Sequence, residues 1–225
     1  MLPLEQLVNL DAYTPLEMTL FVTGGFLWAI VYLIYLRSII RDRYLEMPPF
    51  AACSNLGWEF TWSFVTGTNM GVLVDRCYLI WFVLDCFIFF GGALRYGRKQ
   101  NYHPALDRPW VPFCIVTALA FTGIYIAMWA SGLDTPSGGN SAYIAQLIIS
   151  VLYILVVLRG RDLERFSLAV AWLRMLGTGM ITIFMLIHPG NDGNYFLRGM
   201  ACLATSLDCI CLVMFYRKRR ALAAV

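Results

Sequence analysis

Seven stretches of the chain are apolar and long enough to cross a lipid bilayer as helices: Leu16–Leu36, Pro48–Thr66, Cys77–Leu94, Trp110–Ser131, Ser141–Leu158, Phe166–Ile187 and Tyr195–Tyr216. A helix needs roughly 20 residues to span the hydrocarbon core. Inside that core every backbone polar group must be satisfied within the segment, which leaves the helix as the available form for such runs. Breakers separate them: Pro48-Pro49, Pro104, Pro109, the stretch Asp134–Asn140, and His188-Pro189-Gly190-Asn191. Of 225 residues, 60% are hydrophobic and 14% charged, against about a quarter charged in a soluble domain. The sequence therefore predicts an all-α polytopic membrane protein, one seven-transmembrane-helix bundle over residues 1–225. No length is left for a separate soluble domain.

The basic residues predict an orientation. Arg37, Arg41 and Arg43 follow the first segment. Arg95, Arg98, Lys99 and Arg108 lie between the third and fourth, Arg159, Arg161 and Arg165 between the fifth and sixth, and Arg217–Arg220 after the seventh. The other side carries only Arg76 and Arg198. The positive-inside rule then places the N-terminus outside or in a lumen and the C-terminus in the cytosol. Met1–Leu10 has neither a basic start nor an apolar run, so no cleaved signal peptide is expected. The seven cysteines lack CxxC spacing, which argues against a zinc site or a disulfide framework.

Four ionisable side chains fall well inside these segments: Glu59, Asp85, Arg174 and Asp208. Each lies roughly 12–17 Å from the cytosolic end of its helix, at ~1.5 Å per residue. Charges at that depth are costly unless they face one another or a polar cavity. Two readings are open. In one they form a structural network, with Arg174 paired to Asp208 or Asp85. In the other they line a functional pocket. Glu59 favours the second, because Asn55, Glu59, Trp62 and Thr66 fall on one helical stripe with Trp58 at its edge. Such a stripe suits a pocket wall better than a lipid-facing surface. Trp58 and Trp62 also fit core packing, and Asn55 fits a hydrogen bond between helices.

What is missing narrows the chemistry. The chain has no DDxxD or DxDD motif for magnesium–diphosphate binding or for the acid of soluble terpene cyclases, and no glycine-rich phosphate loop. His103 and His188 lie in loops on opposite sides, which argues against a histidine metal site or a Ser–His relay. Lysine occurs only at Lys99 and Lys218, both flanking positions, so a mid-membrane retinal Schiff base is excluded.

The size, the seven segments, the Asn-x-x-Trp-Glu stretch at Asn55–Glu59 and a second acid, Asp208, in the last helix resemble the small integral-membrane terpene cyclases of fungal meroterpenoid and indole-diterpene pathways, which have bacterial relatives. The resemblance implies that Glu59 and Asp208 are the functional acids, in either order of acid and base. It implies protonation of the terminal epoxide or alkene of a lipophilic prenylated substrate, then carbocation ring closure without loss of diphosphate and without metal or cofactor. Removal from water favours a neutral, proton-donating carboxyl group. Aromatic faces steady cations at roughly 0.5–2 kcal/mol per contact, the role expected of Trp58 and Trp62 beside Asn55. Apart from the resemblance, the residues themselves make Asp85 and Arg174 an expected supporting network. Membrane lipids are the other expected partner, and nucleic acid is not one. The location implied is the endoplasmic reticulum membrane in a fungus or the plasma membrane in a bacterium. The competing expectation is a small proton-coupled carrier using the same acids as a relay. Helices interrupted near Gly57, Gly177 or Gly179 would favour it.

Overall fold

A computed structural model describes residues 7–100, 104–160 and 163–223. Residues 1–6, His103 and Arg161 lie outside the described residues. The described residues form helices, turns and loops, with no strand among them. Seven long helices follow in order: α1 Pro15–Arg37, α2 Pro49–Phe60, α3 Val72–Cys86, α4 Trp110–Ala130, α5 Gly139–Arg159, α6 Leu168–Ile187 and α7 Tyr195–Ala223. Three of them continue as π-helical turns, α1 through Ser38–Asp42, α2 through Thr61–Val65 and α3 through Phe87–Ala93.

Six helical stretches are long and apolar enough to cross a membrane: Pro15–Asp42, Val72–Lys99, Trp110–Ala130, Gly139–Arg159, Leu168–Ile187 and Tyr195–Ala221. The second of the seven expected segments is shorter. Its twelve-residue α-helix and five-residue π-helical turn rise about 25 Å, a few ångströms less than a typical hydrocarbon core. Pro48 and Pro49 fix its start, and the extended backbone of Thr66 fixes its end.

Local chemistry sets other boundaries. A capping box opens α1: Glu17 N donates to Thr14 Oγ1 at 3.3 Å, and Thr14 N donates to Glu17 Oε2 at 2.6 Å. α3 starts at Val72 rather than Cys77, with Asp75 in its first turn, where the helix dipole favours an acid. α7 runs past Tyr216 to Ala223, because Arg217–Arg220 are good helix formers that need not stop where the apolar run does. The helices run unbroken through Gly57, Gly177 and Gly179, so the interruptions that would favour a carrier do not occur at these glycines.

α1 packs along α6, α2 along α4, and α7 against both α5 and α6. The α1–α6 crossing is close because it is made of glycine. A Cβ on Gly24 would lie 2.8 Å from the Gly177 carbonyl oxygen, and one on Gly177 would lie 2.9 Å from Trp28 Cδ1. α4 stands outermost, with Val116, Leu119 and Ile124 exposed. Exposed Phe26, Leu33, Phe87, Ile183 and Val213 continue an apolar exterior around the bundle, the surface that lipid rather than water would cover.

Contacts between loops define two ends of the bundle. At one end Ser167 N donates to Glu46 Oε2 (2.9 Å), Arg165 to the Asp42 carbonyl (2.9 Å), and Lys218 to the Val157 and Leu158 carbonyls (both 2.6 Å). At the other, Tyr13 donates to Asn69 Oδ1 (2.6 Å), Asn69 N to the Pro136 carbonyl (3.3 Å), and Asn194 to Asn140 Oδ1 (3.0 Å). His188 Nδ1 and Glu17 Oε1, 2.9 Å apart, tie α6 to α1 there.

Candidate functional site

α2 carries the centre of the site. Asn55 and Glu59, one turn apart, are both buried, and Trp58 lies beside them. They form one wall of a cavity between α1, α2, α3, α5 and α6. The cavity has a volume of about 110 Å³ and opens to the exterior. Phe21, Trp28 and Tyr32 of α1 line it, with Tyr78 and Trp81 of α3, Tyr143, Gln146 and Ile149 of α5, and Thr178, Ile181 and Met185 of α6. The lining is thus largely aromatic and aliphatic, with few polar groups.

Glu59 is 3% exposed, and its Oε2 has no hydrogen-bond partner. Asp85 lies behind the wall, outside the lining residues. Its Oδ2 accepts from Asn55 Nδ2 at 2.7 Å, and its Oδ1 is unpartnered. Asn55 Nδ2 also donates to the Tyr32 hydroxyl. One amide therefore bridges α1, α2 and α3 directly beside Glu59.

Asp208 is the carboxylate of the second network. It pairs with Arg174 at 2.7 Å, and both side chains are 2% exposed. The Arg174 guanidinium lies 3.8 Å from the Tyr153 ring centre and 5.8 Å from that of Trp28. Of the two pairings open to Arg174 in the sequence, the structure contains the one with Asp208. Asp208 does not line the cavity, but its Oδ2 accepts from Gln146 Nε2 at 3.1 Å, and Gln146 does.

Trp58 and Trp62 stack at 6.1 Å, and both indole N–H groups point to Ser141 Oγ, at 2.8 and 3.3 Å. Trp58 lines the cavity while Trp62 backs it. Gly138 makes room for this stack: its φ is +77°, and a Cβ would fall within 2.8 Å of Trp62 Cζ2. Asp134 orders the same corner, since its Oδ1 accepts from the backbone N–H of Thr135 (2.9 Å), Asn140 (2.9 Å) and Ser141 (3.3 Å). Burial pushes its carboxyl above the ordinary value, against these hydrogen bonds.

The structure thus joins Asn55 to Asp85, Asp208 to Arg174, and Trp58 to Trp62. It places Asn55, Trp58 and Glu59 in the cavity wall, and Asp85, Asp208, Arg174 and Trp62 one layer behind. Sequence reasoning missed Tyr32, Tyr78, Gln146 and Thr178 of the lining. Gln146 did carry a signal, being the one glutamine inside an apolar segment. Among the described residues no group of three His, Cys, Asp or Glu side chains is arranged to hold a metal ion.

Over residues 8–216 the chain matches the family model of Pyr4-like transmembrane terpene cyclases. It is 24% identical over 171 residues to the Pyr4-family terpene cyclase mfmH of Annulohypoxylon moriforme, covering 74% of this chain and 68% of that protein. It is 23% identical to the terpene cyclase spyD of Aspergillus fumigatus over 215 residues, 92% of this chain and 90% of that one. The terpene cyclase pyr4 of the same fungus is 25% identical over 207 residues, 87% and 84% of the two chains. No solved structure matches the chain.

Proposed function

The chain belongs to the Pyr4-like transmembrane terpene cyclases, and from that membership we propose that it closes rings on a prenylated meroterpenoid or indole-type substrate by protonating its terminal epoxide or alkene. The observation that carries this reading is the unpartnered Glu59 Oε2, buried in an aromatic cavity wall. A buried carboxyl group with neither cation nor donor at that oxygen is held at least cost with its proton on. It is then a general acid, and its proton goes to whatever basic atom enters the cavity. Asp208 differs in having a cation beside it, the Arg174 guanidinium at 2.7 Å.

In the epoxide case Glu59 gives its proton to the ring oxygen. The C–O bond to the more substituted carbon breaks, and the electron pair of the next alkene closes the first ring. Positive charge then moves along the chain past Trp28, Trp58, Tyr78 and Trp81, whose faces attract cations and are poor nucleophiles. The aromatic lining excludes water that would quench the cation. The last cation loses a proton to the carboxylate left on Glu59, which restores the acid. The product has the mass of the substrate. No diphosphate leaves, so the reaction needs no metal to draw one off. The membrane is the endoplasmic reticulum if the source is fungal and the plasma membrane if it is bacterial.

The test is product formation from a prenylated aromatic epoxide by membranes carrying the protein or its Glu59→Gln variant. Glutamine keeps the shape of the side chain and has no acidic proton. Turnover per inserted protein should fall by ~10²–10⁴-fold or more, with insertion and detergent stability retained. Near-normal turnover by the variant would overturn the acid assignment.

A further inference from the structure

Asp208 is ion-paired one layer behind the cavity, and the residue between it and the cavity is Gln146. A carboxylate accepts hydrogen bonds and cannot donate them. The Gln146 amide must therefore turn its Nε2 toward Asp208, and it does so at 3.1 Å, with Ser150 Oγ at 3.2 Å from the same nitrogen. Both N–H groups of the amide are thereby used. The Gln146 carbonyl oxygen is left without a partner on a residue that lines the cavity. On the neighbouring wall Thr178, 2% exposed, also lines the cavity, and its Oγ1 has no partner either. Beside the unpartnered Glu59 Oε2 of α2, two more oxygens without a partner, on α5 and α6, thus border a largely apolar and aromatic space.

We infer that Gln146 and Thr178 form a cation-holding subsite of the cavity, and that Asp208 is a positioning residue acting through Gln146. The inference rests on the cyclase reading above and deepens it. Glu59 starts the positive charge on one wall. The Gln146 carbonyl dipole, fixed by the Arg174–Asp208 pair before any substrate arrives, steadies that charge as it passes the α5 wall of the cavity. A fixed dipole in a water-free site needs no reorganisation when charge appears. Thr178 Oγ1 adds a second oxygen on the α6 wall of the same cavity.

The probe is dimethyl(farnesyl)amine, an ammonium ion at neutral pH that mimics a prenyl cation, compared with the neutral hydrocarbon of the same shape. Binding to the detergent-solubilised full chain is measured by thermal shift and by competition with the prenylated epoxide. Gln146→Met keeps the length of the side chain and removes the carbonyl. It should weaken ammonium binding about ten-fold, the scale of one desolvated electrostatic contact, and leave the neutral probe unchanged. Thr178→Val should act in the same direction. Asp208→Asn frees the Gln146 amide to turn over, so it should also reduce the ammonium preference, and the double variant with Gln146→Met should lose no more than the worse single variant. With the epoxide substrate, Gln146→Met should raise the share of incompletely cyclised isomers. Unchanged ammonium preference in Gln146→Met overturns the subsite, and multiplicative losses in the double variant overturn the positioning role of Asp208. A wild-type protein that prefers the ammonium probe through Gln146 yet makes no isomer from the epoxide would sink the cyclase reading and leave the subsite standing.

Discussion

Asn55 gives one Nδ2 proton to Asp85 and the other to Tyr32, and that arrangement separates the roles of two acids that look alike in the sequence. Asp85 and Glu59 both lie deep in apolar helices, but only Glu59 lines the cavity. Asp85→Asn keeps a side-chain oxygen to accept from Asn55, so turnover should stay within about ten-fold of wild type while Glu59→Gln loses ~10²–10⁴-fold or more. The check is isomer formation per inserted protein for the two variants side by side. An Asp85→Asn loss as deep as that of Glu59→Gln would make Asp85 part of the proton donor. Asn55→Ala leaves the Asp85 carboxyl without its donor, because Oδ1 already lacks one, and should destabilise the bundle by about 1–3 kcal/mol, read as a lowered Tm in detergent. Depth was legible at this scale, because rise along a helix follows from counting residues. Azimuth was not. Whether Arg174 meets Asp85 or Asp208 depends on which helices are neighbours, and periodicity within one segment does not encode that.

Helix geometry explains where the sequence stripe stops working. Asn55, Glu59, Trp62 and Thr66 share a face only if 3.6 residues per turn persist. After Phe60 the turn widens to π-helical over Thr61–Val65, and the helix ends before Thr66. Trp62 is carried round to stack behind Trp58 on Ser141, so an aromatic expected in the wall became its backing. The start of α6 was equally hidden. Glu46, from the loop before α2, reaches the N-cap residue Ser167 and accepts its backbone N–H at 2.9 Å. Burial pushes the Glu46 carboxyl up to about 7, with the Ser167 N–H opposing the rise and Asp42 adding to it. The folded state thus holds this proton more tightly than the unfolded chain does. The resulting stability is fully present below the ordinary carboxylate range and is lost as pH rises through about 7. Detergent-solubilised protein should therefore lose Tm between about pH 5 and pH 8, and Glu46→Gln should flatten that part of the slope. A variant with the wild-type slope would remove Glu46 as its cause.

At the scale of the whole molecule, the placement of α2 decides the topology. With six crossings both chain ends share a side; with seven they do not. The stretch Pro49–Val65 is the short one, yet its flanks reach opposite ends of the bundle. Before it, Glu46 meets Ser167 at the end where Lys218 meets Val157 and Leu158. After it, Asn69 meets Tyr13 and Pro136 at the end where Asn194 meets Asn140. A helix of about 25 Å can cross if the bilayer thins locally, or if its neighbours shield its ends, at fractions of a kcal/mol per ångström of mismatch. α2 has such shielding, since most of its residues from Pro49 to Glu59 are buried. Loop charge points the same way: Arg159, Arg165 and Arg217–Arg220 belong to the first end, while Arg198 of the second is paired with Asp192 at 3.2 Å. Seven crossings with the first end in the cytosol are the arrangement we propose from these two observations. Reporters test this directly. A glycosylation site inserted in the Asp134–Asn140 loop should be modified, and one appended after Val225 should not. Single-cysteine labelling of intact membranes should reach the Asp134–Asn140 loop from the extracytosolic side and the Arg217–Arg220 region from the cytosol. Labelling of both from one side would leave α2 as a re-entrant element held inside the bundle. Glu59 would then stand on a helix that enters and leaves by the same face, and the cavity would have its floor at the tip of that helix.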